Sequence, residues 1–233
     1  LALQRRHGLG VFSCNEHQVF SNFSASIPVV RGEPPLATTA VLGNRSMESE
    51  WNLNALNTGV FMNVWKRIFF EKRYRRHDWV VKLDADAVFF PDQLRHVLRR
   101  HCCSHCGRRK RCRAVHFRQN YTHGRFANQR RNYAPLLFDG AAMFGPLEVF
   151  SRAAVNKFSK FFSICKYEVA NRKNPELWGD HWSLHEDIFV DRCMFRLGVA
   201  AHVEHRLLSE GGRPRFHARW PPPCEPGSAA YHP

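Results

Sequence analysis

The chain has 233 residues and is 44% hydrophobic, which is enough to form the core of one α/β domain. No uninterrupted apolar stretch approaches the roughly 20 residues of a membrane-spanning helix, so the sequence predicts no transmembrane segment. The formal net charge of +15 indicates an anionic partner, and nucleic acid, acidic lipid and phosphorylated substrates all fit that description.

The first residues predict the end of a helix rather than a signal peptide. Leu1–Arg6 has no apolar h-region, and Gly8 or Gly10 would end the helix. We therefore expect the chain to be a piece of a longer protein, cut inside a helix. Residues 10–14 then predict a short strand, and residues 24–50 predict mainly loop because they are interrupted by proline and glycine.

A long amphipathic helix is predicted from about Trp51. Val60, Val64 and Ile68 recur at four-residue spacing, which places them on one face of a helix. Basic residues at 72–76 would interact favourably with its C-terminal dipole.

The next apolar run, Trp79–Leu83, predicts a buried strand that ends at two carboxylates, Asp84 and Asp86. Alternate side chains of an extended chain point the same way, so these two groups would repel each other unless a cation lay between them. Mg²⁺ and Mn²⁺ prefer oxygen ligands, and the sequence therefore predicts a divalent metal site here. A helix from Pro91 to about Arg100 should follow.

Two basic stretches, residues 99–113 and 119–133, are predicted as surface insertions on either side of a short strand. In the first, Cys103 and Cys106 have the spacing of a zinc knuckle, although a second matching pair is missing. The second interleaves basic and aromatic residues, a pattern that also suits single-stranded nucleic acid. A basic nucleic-acid-binding module with a Cys/His zinc site is thus an alternative to an enzyme, but it leaves the Asp-x-Asp strand unexplained.

Two further helices are predicted in the second half of the chain. The apolar, glycine-containing segment from Leu136 leads into a helix that we expect to begin at about Glu148. Ser183 would cap the last helix, Glu186 would complete a capping box three residues later, and Gly198 would end it.

Four segments occur in the order found in one enzyme class. They are Asp84–Asp86, Phe144–Glu148, His185–Asp187 and Phe216–His217, and two earlier segments, Gly10–Cys14 and Thr58–Trp65, are also similar to that class. Together they resemble the GT-A-type nucleotide-sugar glycosyltransferases, and in particular a group of uncharacterised GT-A-like proteins from algae. The resemblance implies a Rossmann-like mixed sheet flanked by helices in residues 1–220, followed by a proline-rich tail at 221–233. The first nucleotide-binding strand of the family is missing, so we expect an N-terminally incomplete domain.

The resemblance also implies the residues that bind the donor and its metal. Asp86 would be the main metal ligand, and Asp84 would contact the ribose or a metal-bound water. His217 would supply a nitrogen ligand, and Lys82 would belong to the donor-binding segment. The implied cofactors are Mn²⁺ or Mg²⁺ and a nucleotide-sugar donor, with a UDP-sugar as the first expectation.

The later acidic pair would carry the chemistry. The resemblance implies that Asp187, with Glu186 beside it, deprotonates the acceptor hydroxyl of a glycan, a protein or a small molecule. A single displacement of this kind inverts the anomeric carbon. The family also implies a secretory compartment, the Golgi or ER lumen. The glycosylation triplets at Asn22, Asn44 and Asn120 favour the same compartment weakly.

A haloacid-dehalogenase-like phosphatase is the competing enzyme class. It also uses a strand-end Asp-x-Asp-x-Val, with Asp84 as nucleophile and Asp86 as general acid. Its later acidic motif should follow an apolar strand. In this sequence Asp180 and Asp187 follow Pro-Glu-Leu-Trp instead, so we rank the phosphatase below the transferase.

Overall fold

The structure of the chain is a computed structural model. It describes residues 1–24, 26–27, 35–41, 46–47, 55–56, 58–102, 114–120, 141–143, 145–170, 186–210 and 227–232. The zinc-knuckle cysteines, most of the two basic stretches, Ser183, His217 and most of the proline-rich tail lie outside these residues.

Helices and short strands alternate along the described chain. The α-helices are α1 (Ala2–Arg6), α2 (Thr58–Glu71), α3 (Pro91–Cys102), α4 (Arg152–Ala170) and α5 (Glu186–Arg196), and 3₁₀ helices cover Gly10–Ser13 and Arg73–Arg76. The strands are β1 (Phe20–Ser21), β2 (Ser26–Ile27), β3 (Leu36–Ala37), β4 (Thr39–Ala40), β5 (Ser46–Met47), β6 (Ala55–Leu56), β7 (Trp79–Leu83), β8 (Val88–Phe89), β9 (Val115–Asn120), β10 (Ala141–Ala142), β11 (Leu147–Ser151), β12 (Ala200–Val203), β13 (Leu208–Glu210) and β14 (Ala230–His232).

The central sheet is mixed. Strand β9 pairs in parallel with β12 and antiparallel with both β10 and β11, and β11 pairs antiparallel with β7. Strands β7, β9 and β12 therefore run in the same direction, and β11 runs against them. The sequence prediction of an α/β fold with a mixed sheet and flanking helices is confirmed at this level.

Each face of the sheet carries its own hydrophobic cluster. On one face Phe150 packs with Trp65 of α2, Phe158 of α4 and Phe189 of α5. On the other face Val149, the residue before Phe150 on β11, packs with the apolar side of α3. The alternation of an extended strand explains this division, because successive side chains of β11 point to opposite faces.

A smaller sheet brings the C-terminal strand close to the end of β7. Strand β14 pairs antiparallel with β8 and parallel with β13. Strand β8 begins two residues after Asp86, so its pairing with β14 places His232 near the Asp86 carboxylate.

A buried ion cluster and a disulfide hold α5 in place. Asp191 accepts hydrogen bonds from His116 at 2.9 Å and from Arg118 at 2.8 Å, both on β9. Burial would raise the pKa of Asp191, but the bond with His116 and the charge of Arg118 outweigh it and hold that pKa below its usual value. Cys165 on α4 and Cys193 on α5 form a disulfide, a type of crosslink that contributes roughly 3–4 kcal/mol when it closes a loop of about this length.

Three predicted elements differ in the structure. Residues 10–13 form a 3₁₀ helix rather than a strand. Helix α2 begins at Thr58, and Ala55–Leu56, inside the predicted helix, is the strand β6. Glu148 does not begin a helix, because it lies inside β11, where every residue is buried. A run with apolar residues on both sides of Glu148 suits a strand covered on both faces better than an amphipathic helix.

Within the described part of the chain, no helix combines the length and apolar character needed to cross a bilayer.

Candidate functional site

The first acidic residue of the predicted motif lies where β7 ends. The backbone N–H of Asp84 donates to the carbonyl of Pro146 at 3.3 Å, which continues the pairing with β11 by one residue. The backbone N–H of Ala87 then donates to the carbonyl of Asp84 at 3.2 Å and closes a turn. The expectation that Asp84 and Asp86 share one side of an extended strand is therefore wrong, because both lie in this turn.

Lys82 is the central cation of the site. Its Nζ lies 2.8 Å from Asp84 Oδ1, 3.3 Å from Glu148 Oε1 and 3.2 Å from Glu186 Oε2. Nζ also donates to the carbonyl of Gly145 at 2.7 Å. Burial would lower the pKa of Lys82, but the surrounding carboxylates outweigh it and raise that pKa well above its usual value. Lys82 is thus a permanent positive charge.

Glu148 is the most enclosed carboxyl group of the site. It is the cross-strand partner of Lys82, so both side chains leave the sheet on the face covered by α2 and α5. Burial, followed by the charge of Glu186, raises the pKa of Glu148 well above its usual value, although Lys82 acts in the opposite direction. Burial at this position thus favours the neutral form of Glu148.

Glu186 connects the first residue of α5 to the core. Its Oε1 accepts a hydrogen bond from the indole N–H of Trp65 at 3.2 Å, and its Oε2 lies beside Lys82. The sequence prediction gave this carboxylate a capping role with Ser183, which lies outside the described residues. In the structure its oxygens face buried partners on α2 and β7, so Glu186 fixes where α5 begins.

Asp187 lies beside the same group. Its Oδ2 accepts a hydrogen bond from the backbone N–H of Gly145 at 3.1 Å. It lies in the first turn of α5, where the helix dipole favours a negative charge. Its side chain is half-buried, and this leaves it accessible to a ligand.

Gly145 keeps a space open between two carboxylates, that of Asp84 at the end of β7 and that of Asp187 at the start of α5. A Cβ at this position would lie 3.5 Å from Asp84 Oδ2, 3.6 Å from Lys82 Nζ and 3.7 Å from Asp187 Oδ2. Three charged groups, two from β7 and its end and one from α5, thus surround one small volume. Any larger residue at position 145 would fill it.

Asp86 lies apart from this group and is 66% exposed. His232 Nε2 is 3.6 Å from Asp86 Oδ2, so a C-terminal histidine does approach the Asp-x-Asp motif. The resemblance had assigned this part to His217, which is outside the described residues.

The charges and donor atoms of the site fit a hard divalent cation. Asp84, Glu148, Glu186 and Asp187 lie around one ammonium, so acidic groups outnumber basic ones here even though burial favours the neutral form of Glu148. Carboxylate oxygens are the ligands such a cation prefers, and those of Asp84 and Asp187 converge on the space beside Gly145. Among the described residues, no three His, Cys, Asp or Glu side chains form a complete metal site. An ion bound here would therefore complete its coordination with water and ligand oxygens, as Mg²⁺ commonly does.

The structure joins most of the predicted site residues and adds others. Lys82, Asp84, Glu186 and Asp187 come together, and Asp86 stays at the rim. Sequence reasoning missed Glu148 and Trp65. The signal for Glu148 was a lone acidic residue in a strand-like apolar run, matched by the lone Lys82 in another such run.

Comparisons with models of known protein families and with curated proteins found no match to this chain.

Proposed function

We propose that this chain is a metal-dependent glycosyltransferase of the GT-A type. It would move a sugar from a nucleotide-sugar donor to an acceptor hydroxyl, with inversion at the anomeric carbon. A UDP-sugar is the first donor that we would expect. The observation that carries the proposal is the convergence of Asp84 from a strand end and Asp187 from a helix N-terminus on the space beside Gly145. A donor diphosphate held at the first residue would bring its sugar towards the second.

In this proposal Asp187 is the catalytic base. Its Oδ2 accepts a hydrogen bond from the Gly145 N–H, which orients the carboxylate that would take the proton of the acceptor hydroxyl as the oxygen attacks the anomeric carbon. The bond from that carbon to the diphosphate oxygen breaks as the new glycosidic bond forms. Glu186 and Trp65 position Asp187 because they fix the start of α5.

Asp84 would hold the metal from the space beside Gly145, and Asp86 would add a ligand from the rim, where His232 Nε2 lies 3.6 Å from Asp86 Oδ2. Mn²⁺ or Mg²⁺, when bound, supplies positive charge to the departing nucleoside diphosphate. Lys82 keeps Asp84 in a fixed orientation through a 2.8 Å ion pair. An oriented carboxylate loses less conformational entropy when it binds an ion.

The secretory compartment is supported by two features. The disulfide between Cys165 and Cys193 is of a kind that persists in oxidising compartments. Asn22 of the first glycosylation triplet is exposed and therefore accessible to modification.

Replacement of the proposed base tests the mechanism. We expect Asp187→Asn to lower transfer from a UDP-sugar by about a hundredfold or more and to leave UDP affinity nearly unchanged. Asp92→Asn is the matched control, since Asp92 also lies in the first turn of a helix but is 93% exposed and pairs with Arg95 instead of the site residues. Full transfer activity in Asp187→Asn would contradict the assignment of the base.

The phosphatase alternative gives Asp84 a different role, as a nucleophile instead of a metal ligand. There Asp84 would form a covalent phosphoaspartate, so Asp84→Asn should abolish phosphate release from a generic phosphomonoester. The 2.8 Å pair of Asp84 with Lys82 suits a fixed nucleophile as well as a fixed ligand. The exposed position of Asp86 favours the transferase, because a general acid works best in an enclosed position that raises its pKa.

A further inference from the structure

A second cavity, of about 810 Å³, lies at the opposite end of β7 from Asp84. Asp78 precedes β7 and lines this cavity, whereas Asp84 follows the strand. A strand of this length separates the two places by roughly 20 Å. The cavity is therefore distinct from the candidate active site.

Two helical elements supply the rest of its polar lining. The 3₁₀ helix before β7 contributes Arg75, and α4 contributes Arg152, Asn156 and Lys160 at four-residue spacing, with Ser159 beside them. Residues four apart share one face of a helix, so the α4 groups form a row along the cavity wall.

The lining carries an excess of positive charge. Arg152 is engaged on both sides, since its Nη2 lies 3.1 Å from Asp78 Oδ1 and its Nη1 donates to the carbonyl of Arg75 at 3.1 Å. Among the described residues, no carboxylate lies within ion-pair distance of Arg75 or Lys160, and Lys160 instead lies 5.1 Å from the ring centre of Phe161. Two cations are thus available to a ligand.

The neutral groups of the lining add donors. The hydroxyl of Tyr74 donates to Asn156 Oδ1 at 3.2 Å. This bond occupies the amide oxygen of Asn156, so its amide N–H groups remain as donors for a ligand. The hydroxyl of Ser159 is a further donor. A cavity rich in donors and cations suits a ligand rich in anionic oxygens.

We propose that this cavity binds a sulfate or phosphate ester carried by a small molecule or an oligosaccharide. Its volume lies in the usual range of small-ligand sites, about 300–1,000 Å³. None of its described lining residues is aromatic, so it lacks the stacking surface that single-stranded nucleic acid requires. The proposal is independent of the proposed transferase activity.

Calorimetric titration at low salt tests this site. The probes are a sulfated disaccharide, a sugar phosphate, inorganic sulfate, inorganic phosphate and the uncharged disaccharide. We expect saturable binding of at least one ester with a stoichiometry of one, stronger than that of its inorganic ion, and no binding of the uncharged sugar. The two ester arms identify which oxyanion the site prefers.

Paired variants locate the binding. Arg75→Gln combined with Lys160→Gln should weaken ester binding by about tenfold or more. The matched control is Lys66→Gln combined with Arg206→Gln, which removes the same charge from two exposed positions elsewhere. Asn156→Asp is a second variant that keeps the acceptor for Tyr74 but adds a negative charge, and it should weaken binding similarly.

An equal loss of affinity in the control variant would overturn the proposal, because it would show a diffuse charge effect. Absence of saturable ester binding, or tighter binding of an RNA oligonucleotide than of either ester, would also overturn it.

Discussion

The backbone N–H of Gly145 donates a hydrogen bond to Asp187 Oδ2 at 3.1 Å, and so connects the entry of β11 to the start of α5. The same residue accepts a hydrogen bond from Lys82 through its carbonyl. Gly145 thus contributes both backbone groups to the site, and its missing side chain leaves the space where the charged groups meet.

The Gly145→Ala variant should separate folding from function. The added Cβ would meet its neighbours at 3.5–3.7 Å, which is ordinary van der Waals contact, so we expect the free energy of unfolding to change by less than about 1 kcal/mol. The methyl group would fill the space beside Asp84 and Asp187, and metal-dependent nucleotide binding should fall at least about tenfold. Gly198→Ala is not a suitable control, since its positive φ of 61° would add strain.

Urea unfolding and nucleotide titration of the same Gly145→Ala preparation measure the two effects. Retained nucleotide binding in a stable variant would show that the space beside Gly145 is not where the ligand lies.

Lys82 and Glu148 should respond very differently to substitution. Lys82→Met removes the one ammonium among the enclosed carboxyl groups, and breaking a buried pair in this way costs about 3–5 kcal/mol. Burial favours the neutral form of Glu148, and Glu148→Gln replaces it with a neutral amide of the same shape, so we expect this variant to cost less than about 1 kcal/mol.

The free energies of unfolding of these two variants, measured at neutral pH, check the assigned protonation states. Equal destabilisation by both substitutions would mean that Glu148 is ionised in the folded protein.

The interactions of Glu16 predict that the folded state loses stability as the pH falls. Its carboxylate lies 2.5 Å from Arg73 Nε, Arg76 Nη2 and His77 Nε2. The hydrogen bond with His77, assisted by both guanidinium groups, outweighs burial and lowers the pKa of Glu16 to about 2. A carboxyl group with a lowered pKa stabilises the folded state above its unfolded pKa of about 4.5, and this contribution disappears as the pH falls towards 2.

Glu16→Gln should therefore cost much more stability at pH 7 than at pH 2. We expect about 1–2 kcal/mol at pH 7, after allowing for solvent screening of these partly exposed groups. Asp78→Asn is the control, since that carboxylate is 69% exposed and pairs with one arginine. A difference between Glu16→Gln and the parent protein that persists unchanged at pH 2 would contradict the prediction.

The sequence predicted the elements whose signal is local. The strand Trp79–Leu83, the helix from Pro91 and the helix that ends before Gly198 all appear, because apolar periodicity and the helix-terminal residues act within a few positions. Glu148 was misplaced because its neighbours permit either a helix or a strand, and only the pairing of β11 with β7 decides between them.

Only part of the candidate site could be predicted, because sequence motifs are local and several contacts of the site join distant segments. Asp84 and Asp187 could be selected from motifs, but the role of Lys82 as their shared neighbour depends on contacts between distant segments. The approach of His232 to Asp86 depends on the pairing of β14 with β8, which no local pattern near residue 232 indicates.

The most direct test of the transferase proposal is calorimetric titration of UDP, and then GDP, with and without Mn²⁺. The protein, Asp84→Asn and the surface control Asp92→Asn should be compared. The proposal predicts nucleotide binding that strengthens at least about tenfold with Mn²⁺ in the protein and in Asp92→Asn, and that loses its metal dependence in Asp84→Asn. Nucleotide affinity that is the same with and without Mn²⁺, or that is unchanged by Asp84→Asn, would contradict it.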